Sequence, residues 1–213
     1  MPTENSYKIR TKQQNLFLRV ASGHFATSHS HINYYIDVTT QKTRLSEATA
    51  VAKELASYYS ITTVVDTILC LDGTEVIGAC LARELTQGGH ISMNAHQTIY
   101  VITPEHTQGS QLFFRDNIVP MIKGKHVLIL AASVTTGYTA QAAVEAVKYY
   151  GGHVAGISAI FATEKSCAGY PVRAVFDTGD LDGYASYPSH DCPLCRAGKK
   201  IDALVNSFGY SKL

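Results

Sequence analysis

The segment "LILAASVTTGYTAQAAVEAV", residues 128–147, passes from an apolar strand through a turn of threonine and glycine into an alanine-rich helix. Four apolar residues share one helix face, because they fall at i, i+3, i+4 and i+7. They are Ala140, Ala143, Val144 and Val147. A β-branched run at 153–161 follows the paired glycines that end the helix. The segment therefore predicts a βαβ unit with two parallel strands.

Strands and helices alternate upstream of this unit. Three β-branched runs predict strands, and two segments with helical spacing predict helices. The strands are expected at 62–71, 98–103 and 126–132, and the helices at 44–59 and 75–89. Such alternation favours one α/β domain in which helices flank a parallel sheet.

Two further segments have other patterns. Residues 103–125 show no firm periodicity, which predicts a long loop before the central strand. The tail, residues 199–213, has four apolar residues at helical spacing, namely Ile201, Leu204, Val205 and Phe208. The tail is therefore predicted to be helical and to pack against the body or against a partner subunit.

The composition limits the classes of function. Of 213 residues, 18 are basic and 17 are acidic, with no long run of either sign, so no nucleic-acid partner is expected. No apolar stretch reaches the roughly 20 residues that span a bilayer, and the first twenty residues do not resemble a secretory signal. We therefore expect a cytoplasmic protein with no membrane partner. Five cysteines, an odd number, argue against a disulfide framework.

The turn between the strand and the helix has the residue types of an anion site. Backbone N–H groups without helical partners meet the positive end of the helix dipole there. Gly137 allows a positive φ and a close approach of a ligand to the backbone. The hydroxyl donors for phosphate oxygens are Thr135, Thr136 and Thr139. The alternative is a simple turn in which one threonine caps the helix and the rest faces solvent.

This strand, turn and helix resemble the phosphoribosyl diphosphate (PRPP) motif of the type I phosphoribosyltransferases, where two acidic residues and a T-T-G-x-T loop follow an apolar strand. Three other segments are similar to orotate phosphoribosyltransferases. Residues 22–37 resemble a segment near their start, residues 71–82 their diphosphate loop, and residues 192–198 the tail of one branch. The similarity covers most of the chain in order and spacing.

The resemblance implies a type I phosphoribosyltransferase fold, a single α/β domain over 1–213 in which helices flank a parallel sheet. A small hood subdomain would come from about 1–40 and parts of 161–198, and the protein would be a homodimer. PRPP or a nucleoside monophosphate would place its 5′-phosphate on Ser133, Val134, Thr135, Thr136, Gly137, Tyr138 and Thr139. The diphosphate would lie beside Asp72, Gly73, Thr74 and Glu75, and part of 22–37 would flank the base.

The reaction implied by the resemblance joins orotate to PRPP, giving orotidine 5′-monophosphate and diphosphate in pyrimidine nucleotide biosynthesis, with Mg²⁺. Ala131 and Ala132 replace the acidic pair, and each hydrogen bond lost at a desolvated site is worth about 1–3 kcal/mol. The family's basic catalytic loop corresponds to residues 101–109, which contain His106 and neither Lys nor Arg. His106 is therefore the candidate catalytic residue.

Three interpretations of the function remain open. The protein is a phosphoribosyltransferase of altered or lost activity, or a non-catalytic homologue that binds a nucleotide or sugar phosphate as a sensor or accessory subunit. A third interpretation is a zinc-stabilised interaction module. Other charged residues could replace the missing acidic pair and basic loop. These residues are Glu75, Arg83, Asp116 and Lys123, and the alternative is that they are ordinary solvated charges.

Cysteine and histidine residues form two candidate clusters. Cys192 and Cys195 have the C-x-x-C spacing of a zinc clamp, with His190 and Cys167 as guesses for the other ligands. The alternative is a proline-containing turn with reduced thiols.

A second cluster, His24, His29 and His31, precedes Tyr34 and Tyr35, and its spacing fits neither one helix face nor one strand face. This segment is interpreted as part of the hood near the base, where the tyrosines stack or form a dimer interface. A polar loop with buried tyrosines is the alternative.

Overall fold

The computed structural model describes residues 6–10, 16–87, 92–95, 97–108 and 111–213. The strands are β1 (Ser6–Arg10), β2 (Phe17–Ala26), β3 (Ser30–Asp37), β4 (Thr67–Cys70), β5 (Tyr100–Ile102), β6 (Glu105–His106), β7 (Leu112–Phe113), β8 (His126–Val134), β9 (His153–Ala162), β10 (Ser166–Cys167), β11 (Tyr170–Asp177), β12 (Ser186–Pro188), β13 (Ala203–Asn206) and β14 (Gly209–Lys212). The helices are α1 (Thr39–Thr43), α2 (Leu45–Ala56), α3 (Glu75–Gln87), α4 (Tyr138–Tyr149) and α5 (Pro193–Arg196). Short 3₁₀ turns cover Val119–Met121, Thr178–Asp180 and Ser189–Asp191.

The chain divides into two units. The larger unit is Gln41–Val175, and the smaller one combines Met1–Thr40 with Phe176–Leu213. The hood that the resemblance implies stays a prediction.

The sheet of the larger unit has the strand order β10-β11-β9-β8-β4-β5. Strand β4 is parallel to β5 and to β8, and β8 is parallel to β9. Helix α4 packs on β8 and β9, while α3 packs on β4 and β5 and α2 packs on α3. This architecture confirms the predicted α/β fold with helices on a parallel sheet. Within the described part of the chain, no helix is long and apolar enough to cross a membrane.

Strand β8 lies at the centre of the core because parallel strands covered by helices are buried on both faces. Its residues from Val127 to Ala132 are at most 1% exposed. The predicted apolar face of α4 is buried against it, at Ala140, Ala143, Val144 and Val147. The local pattern at 128–147 thus produces the βαβ unit that it predicts.

The strand predicted at 62–71 is shorter in the structure, where β4 covers Thr67–Cys70. Buried Asn94 explains the difference, since its side chain takes up backbone groups of the preceding segment. Its Oδ1 accepts from the Val65 amide at 2.8 Å and its Nδ2 donates to the Thr63 carbonyl at 2.9 Å. The helix predicted at 75–89 begins at Glu75 as expected, and its residues 88–89 lie outside the described residues.

The loop predicted for 103–125 contains regular structure. Strands β6 and β7 pair as an antiparallel hairpin, and a 3₁₀ turn follows at Val119–Met121. Arg115 holds the hairpin through a bidentate ion pair with Glu105, in which both N–O distances are 2.7 Å. The prediction of a long loop missed this hairpin, because its strands are too short to give a periodic signal.

The smaller unit contains a sheet of order β12-β3-β2-β13-β14, with β1 also paired to β2. Its strands are antiparallel except for β13 beside β2. An apolar cluster fills this unit, made of Ala21, Phe25, Ile32, Tyr35, Ala203 and Val205.

The prediction of a helical tail is wrong, because β13 and β14 form an antiparallel hairpin. Burial alternates with a period of two: Ala203 is 0% and Val205 is 7% exposed, whereas Leu204 is 49% exposed. Phe208 lies in the turn, where the Asn206 side chain accepts from its amide at 2.9 Å. The turn that Asn206 and Gly209 form therefore determines the structure of the tail, although four of its apolar residues have helical spacing.

Candidate functional site

The turn after β8 ends in an exposed helix start. Gly137 is the N-cap of α4 with φ 77°, and among the described residues no side chain caps the helix. The first N–H groups of a helix have no intrahelical acceptor, and they add to the positive end of its dipole. The alternative prediction, in which a threonine caps the helix, is therefore not what the structure shows. Thr136 and Thr139 are exposed beside this start.

Hydrogen bonds fix the turn from its inner side. The Thr163 hydroxyl donates to the Thr135 carbonyl at 2.7 Å, and the Thr163 amide donates to the Val134 carbonyl at 3.0 Å. The Cys167 thiol donates to the Gly137 carbonyl at 3.5 Å. These contacts engage backbone acceptors of the turn and hold the turn in place.

The predicted phosphate residues divide between the strand and the turn. Ser133 and Val134 are the last residues of β8, where they pair with Phe161 and Ala162. We therefore expect residues 135–139 to supply most of the hydrogen-bond donors to a 5′-phosphate, because these residues follow the last β8–β9 pair.

A second turn, between β4 and α3, contains two residues in the left-handed region. Asp72 has φ 58° and Gly73 has φ 77°. Buried Thr74 stabilises the turn, because its hydroxyl donates to the Leu71 carbonyl at 2.8 Å and to the Leu130 carbonyl at 3.1 Å. A non-glycine residue at positive φ costs about 1–3 kcal/mol and is concentrated at functional sites. Thr74 thus shapes the turn through its hydroxyl, while Glu75 lies exposed at the start of α3.

The two turns lie at the carboxyl ends of neighbouring strands. Helix α3 leads from β4 to β5 on one side, whereas α4 leads from β8 to β9 on the other. The chain therefore departs in opposite directions from the β4–β8 pair. Ligands of open parallel sheets bind in the crevice at such a switch point.

Lys42 is a candidate residue that the sequence analysis missed. It is only 6% exposed, and its Nζ donates to the Asp72 carbonyl at 2.7 Å. A lysine is rarely buried without a specific partner. Here it brings a positive charge to the left-handed turn at Asp72. Nothing in the segment "TTQKT" indicates this, because the contact joins residues 30 positions apart.

The charged groups proposed from the sequence lie on the surface. His106 is exposed in β6. The Arg115 guanidinium lowers the pKa of the Glu105 carboxyl, and the ion pair with Glu105 neutralises the charge of Arg115. The four charged residues that could replace the missing acidic pair and basic loop are also exposed. They are Glu75, Arg83, Asp116 and Lys123, and their exposure agrees with ordinary solvated charges.

The positions of the acidic pair are buried inside β8. Ala131 is 1% and Ala132 is 0% exposed, and Ala131 pairs with Ala159 of β9. Ala131 also belongs to the apolar core cluster of the larger unit. Alanine side chains carry no oxygen, so these positions offer neither an acceptor for ribose hydroxyls nor a ligand for a metal ion.

The segment at 22–37 is a β-hairpin rather than an irregular loop. Strands β2 and β3 pair, with a bulge between Ser22 and Phe25. A bulge shifts the alternation of side chains by one residue. His24 and His31 therefore meet although their spacing fits no regular strand face, and His29 lies in the exposed turn.

The structure brings Cys192 and Cys195 together with these two histidines. One ligand atom from each of His24, His31, Cys192 and Cys195 lies within 4.8 Å of the others. The guessed ligands His190 and Cys167 are not members of this group. Desolvation lowers the pKa of His31, helped by His24, and desolvation raises the pKa of Cys195, helped by Cys192.

Comparisons with known proteins identify the fold. The chain matches no family model and no curated protein sequence. It is similar to the solved structure of UMP synthase from Leishmania donovani, with TM-score 0.57 and 22% identity over 76% of this chain and 34% of that one. It is also similar to adenine phosphoribosyltransferase from Trypanosoma brucei in complex with AMP, pyrophosphate and ribose-5-phosphate, with TM-score 0.53 and 14% identity over 78% of both chains.

A third similar structure is orotate phosphoribosyltransferase from Mycobacterium tuberculosis, with TM-score 0.51 and 18% identity over 78% of this chain and 93% of that one. These similarities show that the chain has the fold of the type I phosphoribosyltransferases.

Proposed function

We propose that this chain is an orotate phosphoribosyltransferase-like protein that binds PRPP or a nucleoside monophosphate through the 5′-phosphate. The observation that carries the proposal is the glycine-capped start of α4 at the switch point between β4 and β8. The sequence resemblance and the fold shared with phosphoribosyltransferases support the same ligand class. A homodimer belongs to this proposal, as the resemblance implies.

The chemistry of the turn suits a phosphate dianion. Backbone N–H groups at the start of α4 and the hydroxyls of Thr135, Thr136 and Thr139 are all donors. No carboxylate belongs to residues 133–139, so no like charge within the turn opposes the anion. Gly137 leaves room for close approach because it has no side chain.

The β4–α3 turn would hold the diphosphate of PRPP. Asp72 and Gly73 place consecutive amides in an unusual conformation, and buried Lys42 supplies positive charge behind them. Charge from a poorly hydrated ammonium acts more strongly than charge in bulk water. Asp72 and Glu75 are anionic, so their carboxylates would face away from the diphosphate.

The reaction proposed for this site transfers ribose 5-phosphate from PRPP to orotate. The bond from C1′ to the diphosphate oxygen breaks, the diphosphate leaves with the electron pair, and C1′ bonds to N1 of orotate, whose proton is released to solvent. Binding and orientation supply most of the acceleration in such a reaction. Mg²⁺ prefers oxygen ligands, and Ala131 and Ala132 offer none, so the residues present do not fit the role of the family's acidic pair.

A specific observation favours a second candidate, a non-catalytic nucleotide or sugar-phosphate binding protein that acts as a sensor or accessory subunit. The turn at 133–139 keeps the threonines and the glycine of the resemblance, whereas the acidic pair is two buried alanines and Arg115 is paired with Glu105. Two lost hydrogen bonds correspond to about 2–6 kcal/mol. One missing donor to developing charge typically slows an enzyme by about 10²–10³.

A calorimetric titration with PRPP, orotidine 5′-monophosphate and inorganic phosphate tests the binding proposal. We expect all three to compete for one site, with phosphate the weakest ligand because it makes only the turn contacts. A diphosphate-release assay with orotate on the same sample then separates the two candidates. Release that depends on orotate supports the transferase, and tight nucleotide binding without release supports the sensor. Absence of binding by all three ligands contradicts both.

A further inference from the structure

Four side chains of the smaller unit converge on one point although they come from distant parts of the chain. His24 and His31 belong to the β2–β3 hairpin, and Cys192 and Cys195 belong to the start of α5. Their ligand atoms lie within 4.8 Å of one another. His24, His31 and Cys192 are buried, and Cys195 forms the exposed side of the cluster. Neither the phosphate turn nor the proposed reaction uses this cluster.

Four of the six separations between ligand atoms in the cluster are close to those of a tetrahedral site. Ideal zinc–nitrogen and zinc–sulfur bonds give ligand separations of about 3.3 Å between two nitrogens and about 3.6 Å between nitrogen and sulfur. His24 Nε2 lies 3.1 Å from His31 Nδ1, and it lies 3.6 Å from Cys192 Sγ and 3.7 Å from Cys195 Sγ. Cys195 Sγ lies 3.3 Å from His31 Nδ1. All four separations are within about 0.3 Å of the zinc geometry.

A backbone contact selects the tautomer that a metal needs. His24 Nδ1 lies 2.8 Å from the Lys199 carbonyl, which only accepts, so Nδ1 carries the proton. Nε2 therefore presents its lone pair to the cluster. Outer contacts of this kind orient metal-binding histidines. The Asp202 carboxylate adds to the support by accepting from the His24 amide at 2.7 Å.

Hydrogen bonds use only some of the close contacts in this arrangement. His24 Nε2 has one lone pair but faces three polar atoms, on His31, Cys192 and Cys195, at 3.1–3.7 Å. One of these neighbours at most donates a good hydrogen bond to it. A cation at the centre satisfies all four ligand atoms at once.

We propose that His24, His31, Cys192 and Cys195 bind one zinc ion. Two thiolates and two imidazoles are a ligand set that suits zinc, and four protein ligands leave no open position, as in structural sites. The ion ties the α5 turn to the β2–β3 hairpin and has a structural role. Each thiol loses its proton on binding, so loading releases about two protons per chain.

Metal analysis of the full chain, purified without chelator and with thiols kept reduced, is the direct experiment. We expect about one zinc per chain. Replacement by Co²⁺ is expected to give the absorption bands of tetrahedral cobalt with thiolate ligands. Removal of zinc with a chelator should lower the melting temperature, and added zinc should restore it.

Variants with matched controls test the ligand set. Cys195→Ser and His31→Gln should each lose zinc at a chelator concentration that leaves wild type loaded. His190→Gln and Cys80→Ser should keep it, because neither belongs to the cluster. The Co²⁺ spectrum keeps the test decisive if a variant folds poorly, since the bands report the thiolates in the wild-type chain.

Three outcomes would overturn the proposal. One is wild-type protein that takes up no zinc even after incubation with zinc under reducing conditions. Another is a Cys192→Ser, Cys195→Ser double variant that retains full zinc. The third is a Cys192–Cys195 disulfide in protein purified under reducing conditions, which would assign the pair to redox chemistry.

Discussion

Replacement of Gly137 by alanine tests whether the start of α4 is the anion site. Gly137 has φ 77°, and a Cβ there would lie 3.2 Å from Cys167 Sγ. The left-handed conformation costs about 1–2 kcal/mol for a residue with Cβ. The turn should therefore relax and redirect the amides of the first helical turn. Loss of one hydrogen bond to a charged group, about 1.5–3 kcal/mol, would weaken PRPP binding roughly 10-fold to 150-fold.

Gly151→Ala is the matched control for this experiment. Gly151 also has φ 77°, it follows the opposite end of α4, and its nearest atom to a built Cβ is Lys123 Cγ at 3.6 Å. Both variants should lose about 1–2 kcal/mol of unfolding free energy in urea titrations. Only Gly137→Ala should lose affinity for PRPP and for inorganic phosphate in calorimetry. Equal affinity of Gly137→Ala and wild type, or equal losses in both variants, would refute the assignment.

Three further predictions concern the contacts around the two turns. Thr163→Val removes the hydroxyl that donates to the Thr135 carbonyl, so phosphate affinity in calorimetry should fall by about 1 kcal/mol while the circular dichroism spectrum is unchanged. Lys42→Met keeps the volume but removes the charge behind Asp72, so the ratio of PRPP affinity to orotidine 5′-monophosphate affinity should fall about tenfold, roughly 1.4 kcal/mol; an unchanged ratio contradicts the role of Lys42. Ala131→Asp places a carboxyl in the core cluster and should cost at least about 1–3 kcal/mol in urea unfolding, so wild-type stability would show that the position opens toward solvent.

Local signals predicted the centre of the fold well. Strand β8 is a continuous apolar run and helix α4 has apolar residues on one face. Gly137 in the turn marks the junction between them. The α/β class followed from the alternation of such segments. Two other helices were expected close to their observed positions, because one-sided apolar spacing is a property of neighbouring residues alone.

Features that depend on distant contacts could not be predicted in the same way. The tail forms a hairpin in which β13 pairs with β2. The spacing of apolar residues in the tail does not indicate this pairing. Lys42 is placed at the β4–α3 turn by a contact with the Asp72 carbonyl, which lies 30 positions away along the chain.

The cluster of His24, His31, Cys192 and Cys195 was predicted only in part. Cys192 and Cys195 have a local spacing that indicates a clamp, but the other two ligands lie more than 160 positions away along the chain. A bulge in β2 also conceals the relation between His24 and His31, because it shifts the side-chain alternation. Four residues of zinc-binding types were present as two pairs, but only the fold brings the two pairs together.

A crystal structure of the full chain grown with a saturating concentration of orotidine 5′-monophosphate tests the central claim most directly. We expect the phosphate oxygens to lie within hydrogen-bond distance of backbone amides and hydroxyls of residues 135–139, at the start of α4. A nucleotide whose phosphate is bound elsewhere, with this turn in contact only with water or with itself, would contradict it.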